Sequence, residues 1–87
     1  MKRFGSETSA SFHHPLSSPR GITAFSDKHQ LLVADSHNDR LVLFGEDGEF
    51  QKLLTTGIEY PESLATNNKG HVFVAMTDRI DIFSREN

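Results

Sequence analysis

The fold of this chain is decided by residues 19–44, PRGITAFSDKHQLLVADSHNDRLVLF. The stretch begins at a Pro-x-Gly turn signal and passes through an apolar run that ends in Ala34 and Asp35. It then crosses the polar loop 36–39 and closes on a second apolar run, 41–44. Short apolar runs bounded by Gly, Pro, Asn, Asp and Ser are typical of β-strands, and unbroken ones indicate cover on both faces. The stretch therefore predicts strands at 21–25, 30–35 and 40–44, and Val33 is expected to lie between packed sheets.

A second copy of the pattern follows at residues 61–83, PESLATNNKGHVFVAMTDRIDIF. The offset between equivalent residues falls from 42 at Pro19 and Pro61 to 39 at Phe44 and Phe83. Offsets that shrink in small steps indicate one unit used twice, with short deletions in its loops. A period of about 40 residues with strand content is typical of propeller blades. Further strands are predicted at 50–54, 62–66, 71–76 and 79–83, with turns at 46–48 and 67–70, and no helix is predicted.

The pattern consists of specific residues, not all of which recur in the second copy. In the first copy they are Pro19, Gly21, Ile22, Val33, Ala34, Asp35, Ser36, Asn38, Arg40, Leu41 and Phe44. The second copy keeps Pro61, Leu64, Ala65, Gly70, Val72, Phe73, Val74, Ala75, Arg79, Ile80 and Phe83, but has Ser63 in place of the glycine and Met76 in place of the aspartate. With this pattern, residues 4–87 resemble the NHL repeat, and most closely the propeller region of tripartite-motif ubiquitin ligases.

The resemblance implies an all-β chain of antiparallel four-stranded β-propeller blades of the NHL type. Residues 1–18 would be the end of a preceding outer strand, near residues 2–4, and a connecting loop anchored by Phe12. Residues 19–54 would be the first blade, in which Gly21 permits a close approach of the backbone. Residues 55–60 would be a connection, and 61–87 an incomplete second blade. Two blades cannot close a ring of the usual ~4–8. Either the chain is part of a longer propeller, which we favour, or copies associate to complete the ring.

The composition of the chain excludes several classes of protein. At 87 residues the chain is at most one domain, and its formal net charge of -3 offers no basic excess for a polyanion. It has no cysteine, which excludes disulfides and thiolate metal sites and fits a reducing compartment. The N-terminal basic residues are not followed by an apolar run, and no stretch approaches the ~20 apolar residues of a membrane span. We therefore expect a cytoplasmic protein without a membrane partner.

Two groups of polar residues stand out as candidate sites. The binding residues expected on the top-face loops of the propeller are His37, Asn38, Asp39, Arg20, Tyr60 and Asp78. The residues assigned to the structural repeat signature are Gly21, Asp35, Arg40 and Arg79. In this interpretation Asp35 and Arg40 pair across their turn, and Asn38 shapes it by bonding its own backbone.

Catalytic and metal chemistry find little support in the sequence. His13 and His14 are adjacent, and neighbours in an extended segment point to opposite sides, so they rarely share one ion. Ser36 and His37 are neighbours in sequence, but a nucleophile and its base must meet through their side chains, with a third group orienting the base. We therefore predict no metal, no cofactor and no enzyme activity in this chain.

The predicted function is that of a non-catalytic recognition module with a protein partner, as in tripartite-motif ligases, whose ligase activity would lie in a separate RING domain. One alternative is part of an RNA-binding NHL propeller, since His37, Tyr60 and Arg20 could contact single-stranded RNA. Glu59 and Glu62 oppose that interpretation. A further alternative is a fragment of an NHL-family metal-dependent lyase, with its metal held mainly by other blades.

Overall fold

The computed structural model describes residues 3–6 and 15–84, and these form two antiparallel sheets. The first sheet contains β1 (Pro19–Phe25), β2 (Gln30–Asp35), β3 (Arg40–Gly45) and β4 (Phe50–Thr56), paired in that order. The second contains β5 (Ser63–Thr66), β6 (His71–Ala75) and β7 (Ile80–Ser84), again in chain order. Single 3₁₀ turns, Ser26–Lys28 and Ser36–Asn38, join β1 to β2 and β2 to β3. The described part of the chain is therefore all-β.

All seven strands predicted from residue 19 onward are confirmed, with ends that differ by no more than two residues. The strand end expected near residues 2–4 is wrong for Arg3 and Phe4, which are not in a strand. Gly5 takes a φ of 103°, and the Phe4 ring lies against Phe44 with 5.0 Å between ring centroids. This short segment therefore folds over the face of the first sheet. Lys2 and Phe12 lie outside the described residues.

The main core lies between the two sheets. Alternate side chains of β2 and β3 point to this side, because successive residues of a strand face opposite ways. The buried members of the cluster are Phe25, Leu32, Ala34, Leu41, Leu43, Ile58, Val72, Val74 and Met76. Leu64 and Phe83 pack against its margin. The second sheet therefore covers one face of the first and makes the two sheets one folded unit.

A smaller core lies on the other face of the first sheet. Its buried members are Val33, Val42 and Phe44, and Phe4 and Leu16 pack over them. β3 is therefore buried on both faces, as its unbroken apolar run predicts. Val33, however, does not lie between the sheets: its alternation with Leu32 places it on the outward face, under Leu16.

The two sheets approach each other closely at Gly21. A Cβ added there would come within 2.8 Å of the Cα of Ser63 in β5. The side chain of Thr23, on the same face of β1, lies 3.3 Å from that of Thr66, measured between their Oγ1 atoms. Glycine at position 21 is thus required by a close approach of two strands, which confirms the prediction made from the sequence.

The repeat seen in the sequence continues into the two connections that precede the sheets, residues 15–18 before β1 and residues 57–62 before β5. Ser18 and Tyr60 are 42 residues apart, each precedes a proline, and their φ angles are 53° and 43°. Leu16 and Ile58, also 42 apart, each insert into one of the two apolar clusters. Non-glycine residues rarely adopt positive φ, so its recurrence at one offset shows that the two connections have a similar backbone conformation at the residue before the proline.

Candidate recognition surface

The candidate site is built on a buried carboxylate at the end of β2. Asp35 is fully buried, and its Oδ2 accepts hydrogen bonds from Arg40 Nε at 2.7 Å and from Asn38 Nδ2 at 2.8 Å. Its Oδ1 accepts from the backbone N–H of Ser17 at 2.6 Å. The predicted pairing of Asp35 with Arg40 is confirmed. One carboxylate thus joins the loop 36–39, the start of β3 and the connection before β1.

The expected role of Asn38 is wrong in its detail. Its side-chain amide donates to Asp35 and to the backbone carbonyl of Pro15, at 3.2 Å, rather than to its own backbone. An ionised carboxylate is a stronger acceptor than a neutral carbonyl, so Asp35 captures the nearby amide. Asn38 therefore ties the loop to a segment distant in sequence.

Further hydrogen bonds hold the backbone of the loop 36–39 from two sides. The N–H of His37 donates to Ser17 O at 3.1 Å, on the side of the first connection. On the other side, the carbonyl of Asp39 accepts from Ile58 N at 3.2 Å, and its Oδ1 accepts from Tyr60 N at 2.8 Å. Both connections therefore fix the loop, which presents its exposed side chains from a rigid base.

Three side chains form a stack at the surface beside this loop. The rings of His37 and Tyr60 lie 5.6 Å apart between centroids and are tilted by 39°. The guanidinium carbon of Arg20 lies 5.4 Å from the centroid of the Tyr60 ring, within the range of a cation–π interaction. Arg20 and His37 are exposed, and Tyr60 is half-buried between them. We call Arg20, His37, Asn38, Asp39 and Tyr60 the loop surface.

Five of the six predicted binding residues thus come together, although Arg20 lies in β1 and not in a loop. The sixth, Asp78, lies in the turn between β6 and β7, where it is exposed and 3.9 Å from Arg79 Nη1. None of its described contacts reaches the loop surface. The surface carries both signs of charge, since Glu59 and Glu62 are exposed beside Tyr60.

The repeat signature does not form the same structure twice. Where Asp35 and Arg40 pair in the first repeat, the second has Met76 and Arg79. Without a buried carboxylate to hold it, the side chain of Arg79 stays 48% exposed and pairs with Asp81 at 3.4 Å between Nε and Oδ1. Gly21, Asp35 and Arg40 therefore have structural roles in the fold, and Arg79 is a surface residue.

The residues that hold the loop 36–39 from outside it were not predicted from the sequence. Besides Ser17, the carbonyl of Pro61 accepts a hydrogen bond from Ser36 Oγ. That serine is fully buried, so its hydroxyl is not placed for nucleophilic attack on a ligand. The 42-residue spacing of Leu16 and Ile58, and of Ser18 and Tyr60, could have shown from the sequence that the two connections are equivalent. It could not have shown which loop they contact.

Within residues 3–6 and 15–84, no three histidine, aspartate or glutamate side chains form a group that could hold a metal ion. His13 and His14 lie outside this part of the chain. Nor does any helix within it have the length and apolar character that crossing a membrane requires. No protein-family model matches the chain, and no curated protein is significantly similar to it.

Proposed function

We propose that this chain is a non-catalytic recognition module made of two NHL-type β-propeller blades, which binds a protein partner through the loop surface. The observation that carries the proposal is the stack of Arg20 and Tyr60 with His37, where His37 lies on a loop held by hydrogen bonds from both connections. A rigid loop loses little conformational entropy when it binds, so more of the contact energy remains as affinity.

The residue types favour a protein over other partners. Tyrosine and arginine are enriched among the residues that dominate protein interfaces, because each combines apolar area with directional polar groups. Asp39, Glu59 and Glu62 lie among or beside them, and this mixed charge suits a polar protein surface better than a polyanion.

The same proposal places the module in a cytoplasmic protein similar to tripartite-motif ubiquitin ligases, in which it would select the substrate. A RING domain binds zinc through cysteine thiolates, and residues 1–87 contain no cysteine. Ligase activity, where present, would therefore come from a domain outside these residues.

Selection from a peptide library displayed on phage tests protein binding and requires no identified partner. We expect selected peptides to bind the Tyr60→Ala variant about 30-fold more weakly by calorimetry, the loss typical of a dominant interface residue at ~2 kcal/mol. Asn68→Ala, at an exposed position of the turn before β6, is the matched control and should leave affinity unchanged. Peptides that bind the Tyr60→Ala chain as tightly as the wild type would place recognition elsewhere.

A second candidate function is binding of single-stranded RNA. The observation that favours it is the same pair of rings, one exposed and one half-buried, with a guanidinium beside it, since bases stack on such platforms. Fluorescence anisotropy with several unrelated RNA strands at low salt would show binding that weakens as salt is raised and in Arg20→Glu and His37→Glu. The absence of binding to every strand would remove this candidate.

A further inference from the structure

The outward face of the second sheet is apolar and open. Register places Ala65, Phe73 and Ile82 in one row across the three strands and Ser63, Ala75 and Ile80 in the next row. His71 and Ser84 lie on the same face at its other end. Ile80 is 66% exposed and Ile82 63% exposed. Large aliphatic side chains gathered on one sheet face are unusual on a surface that meets only water.

Equivalent positions of the first repeat are buried. At the offset of 39 residues, Ile80 corresponds to Leu41 and Ile82 to Leu43, whose exposures are 0% and 1%. These two leucines are covered because the inner face of the second sheet packs on them. Within the chain, therefore, the face of the first sheet that carries Leu41 and Leu43 is covered by the opposite face of the second sheet. We expect the same kind of surface to cover the face that carries Ile80 and Ile82.

The first sheet has such an opposite face, its outward face, and no other sheet of the described residues covers it. The inner face of the second sheet presents Leu64, Val72, Val74 and Phe83. Their equivalents in the first repeat are Ile22, Leu31, Val33 and Phe44, which form the outward face of the first sheet. Ile22 is 60% exposed there and lines an apolar groove with Leu16 and Pro19.

We propose that the outward face of the second sheet binds the outward face of the first sheet in a second copy of this chain. The contact repeats between chains the packing that joins the two sheets within one chain. It is heterologous, because two different faces meet, so copies associate head to tail and close into a ring when the rotation allows. Arg20 belongs both to this groove and to the loop surface, but the inference does not depend on the proposed function.

The connection before β1 does not obstruct this contact. Leu16, which covers part of the outward face of the first sheet, is the equivalent of Ile58, and Ile58 lies inside the core between the sheets. By analogy with Ile58, Leu16 would be part of the contact between the two copies and would not block it. Phe4 packs over the same face, against Phe44, and would also contact the second copy.

The internal contact also predicts which residues meet between chains. Thr23 and Thr66 face each other within the chain at 3.3 Å between their Oγ1 atoms. The equivalent of Thr23 in the second repeat is Ala65, and the equivalent of Thr66 in the first is Ala24; both alanines are exposed. Ala65 of one copy and Ala24 of the next are therefore expected to lie within disulfide range.

Light scattering on a size-exclusion column, over a concentration series, tests the association itself. We expect a discrete multiple of the 9.8 kDa chain, roughly two to four copies if the ring has a usual number of blades. Ile82→Glu should shift the midpoint of association by at least about tenfold in concentration. Asn68→Glu, at an exposed position of the turn before β6, should leave it unchanged. A wild-type chain that stays single over the whole range, or an Ile82→Glu chain that associates normally, would overturn the proposal.

Cross-linking tests the geometry and does not depend on disrupting the fold. The chain has no native cysteine, so Ala24→Cys with Ala65→Cys introduces the only two thiols. Within one chain β1 and β5 are in contact, but Ala24 and Ala65 lie on the outward faces of their sheets and point away from each other. Side chains that point apart cannot be bridged, so a disulfide between them must join two chains. Mild oxidation should give covalent multiples on a non-reducing gel, while Ala24→Cys with Asn68→Cys should stay mostly single. Equal cross-linking of both pairs, or none in the first pair, would contradict the head-to-tail contact.

Discussion

Replacement of Asp35 by asparagine tests whether the buried carboxylate holds the loop 36–39 in place. The substitution keeps the shape of the side chain but removes its charge and presents an amide NH₂ where an acceptor stood. Asp35 accepts hydrogen bonds from Arg40, Asn38 and Ser17. Whichever way the new amide is turned, at least one of these donors faces another donor.

The cost follows from the hydrogen bonds that the substitution removes. A hydrogen bond to a charged group is worth about 1.5–3 kcal/mol, and an unmatched buried donor costs about 1–3 kcal/mol. Removal of one partner of a buried ion pair costs about 3–5 kcal/mol in other proteins. Arg40 has further interactions besides the one with Asp35, so we expect a loss near the lower end, about 3 kcal/mol. A chain of this length has a total stability of roughly 4–13 kcal/mol.

Urea titration and thermal unfolding followed by circular dichroism measure this loss. At about 4–8 °C per kcal/mol, the melting temperature of the Asp35→Asn variant should fall by roughly 12–24 °C. The matched control is Asp78→Asn, which makes the same change at a carboxylate that is 80% exposed and 3.9 Å from Arg79. Its stability should stay within about 0.5 kcal/mol of the wild type. Two variants of equal stability would refute the structural role assigned to Asp35.

Two further predictions concern the packing of the sheets. Gly21→Ala should lower the free energy of unfolding in urea by about 1–3 kcal/mol, because the new methyl meets the backbone of Ser63; an unchanged urea midpoint would contradict the close approach of β1 and β5. Leu41→Ala should cost about 2–5 kcal/mol in the same titration, since it empties part of the main core. At the equivalent position of the second repeat, Ile80→Ala should cost much less under conditions where the chain is single, and equal losses would be inconsistent with the exposure of β7.

Most of the local structure could be predicted from the sequence. Apolar runs and turn residues identified every strand from residue 19 onward, and the doubled pattern identified a unit used twice. The unbroken apolar run of β3 also showed that it is buried on both faces. These features depend on residues close together in the chain, so they can be predicted from the local pattern of apolar and polar residues.

The faces of the strands could not be assigned in the same way. Alternation shows that Leu32 and Val33 point to opposite sides, but not which side meets the second sheet. Only the tertiary structure places Leu32 in the main core and Val33 under Leu16. The exposure of Ile80 and Ile82 likewise follows from the order of the two sheets, since their equivalents in the first repeat are buried.

The loop surface, too, could be predicted from the sequence only in part. Its residue types were evident from the sequence, because His37, Asn38 and Asp39 occupy a polar loop between two apolar runs. The stack of Arg20 on Tyr60 joins positions 40 residues apart, and Asp39 reaches Tyr60 across 21. Local sequence determined where the chain turns, whereas the tertiary structure alone determined which turns meet, because contacts at that separation depend on how the sheets pack.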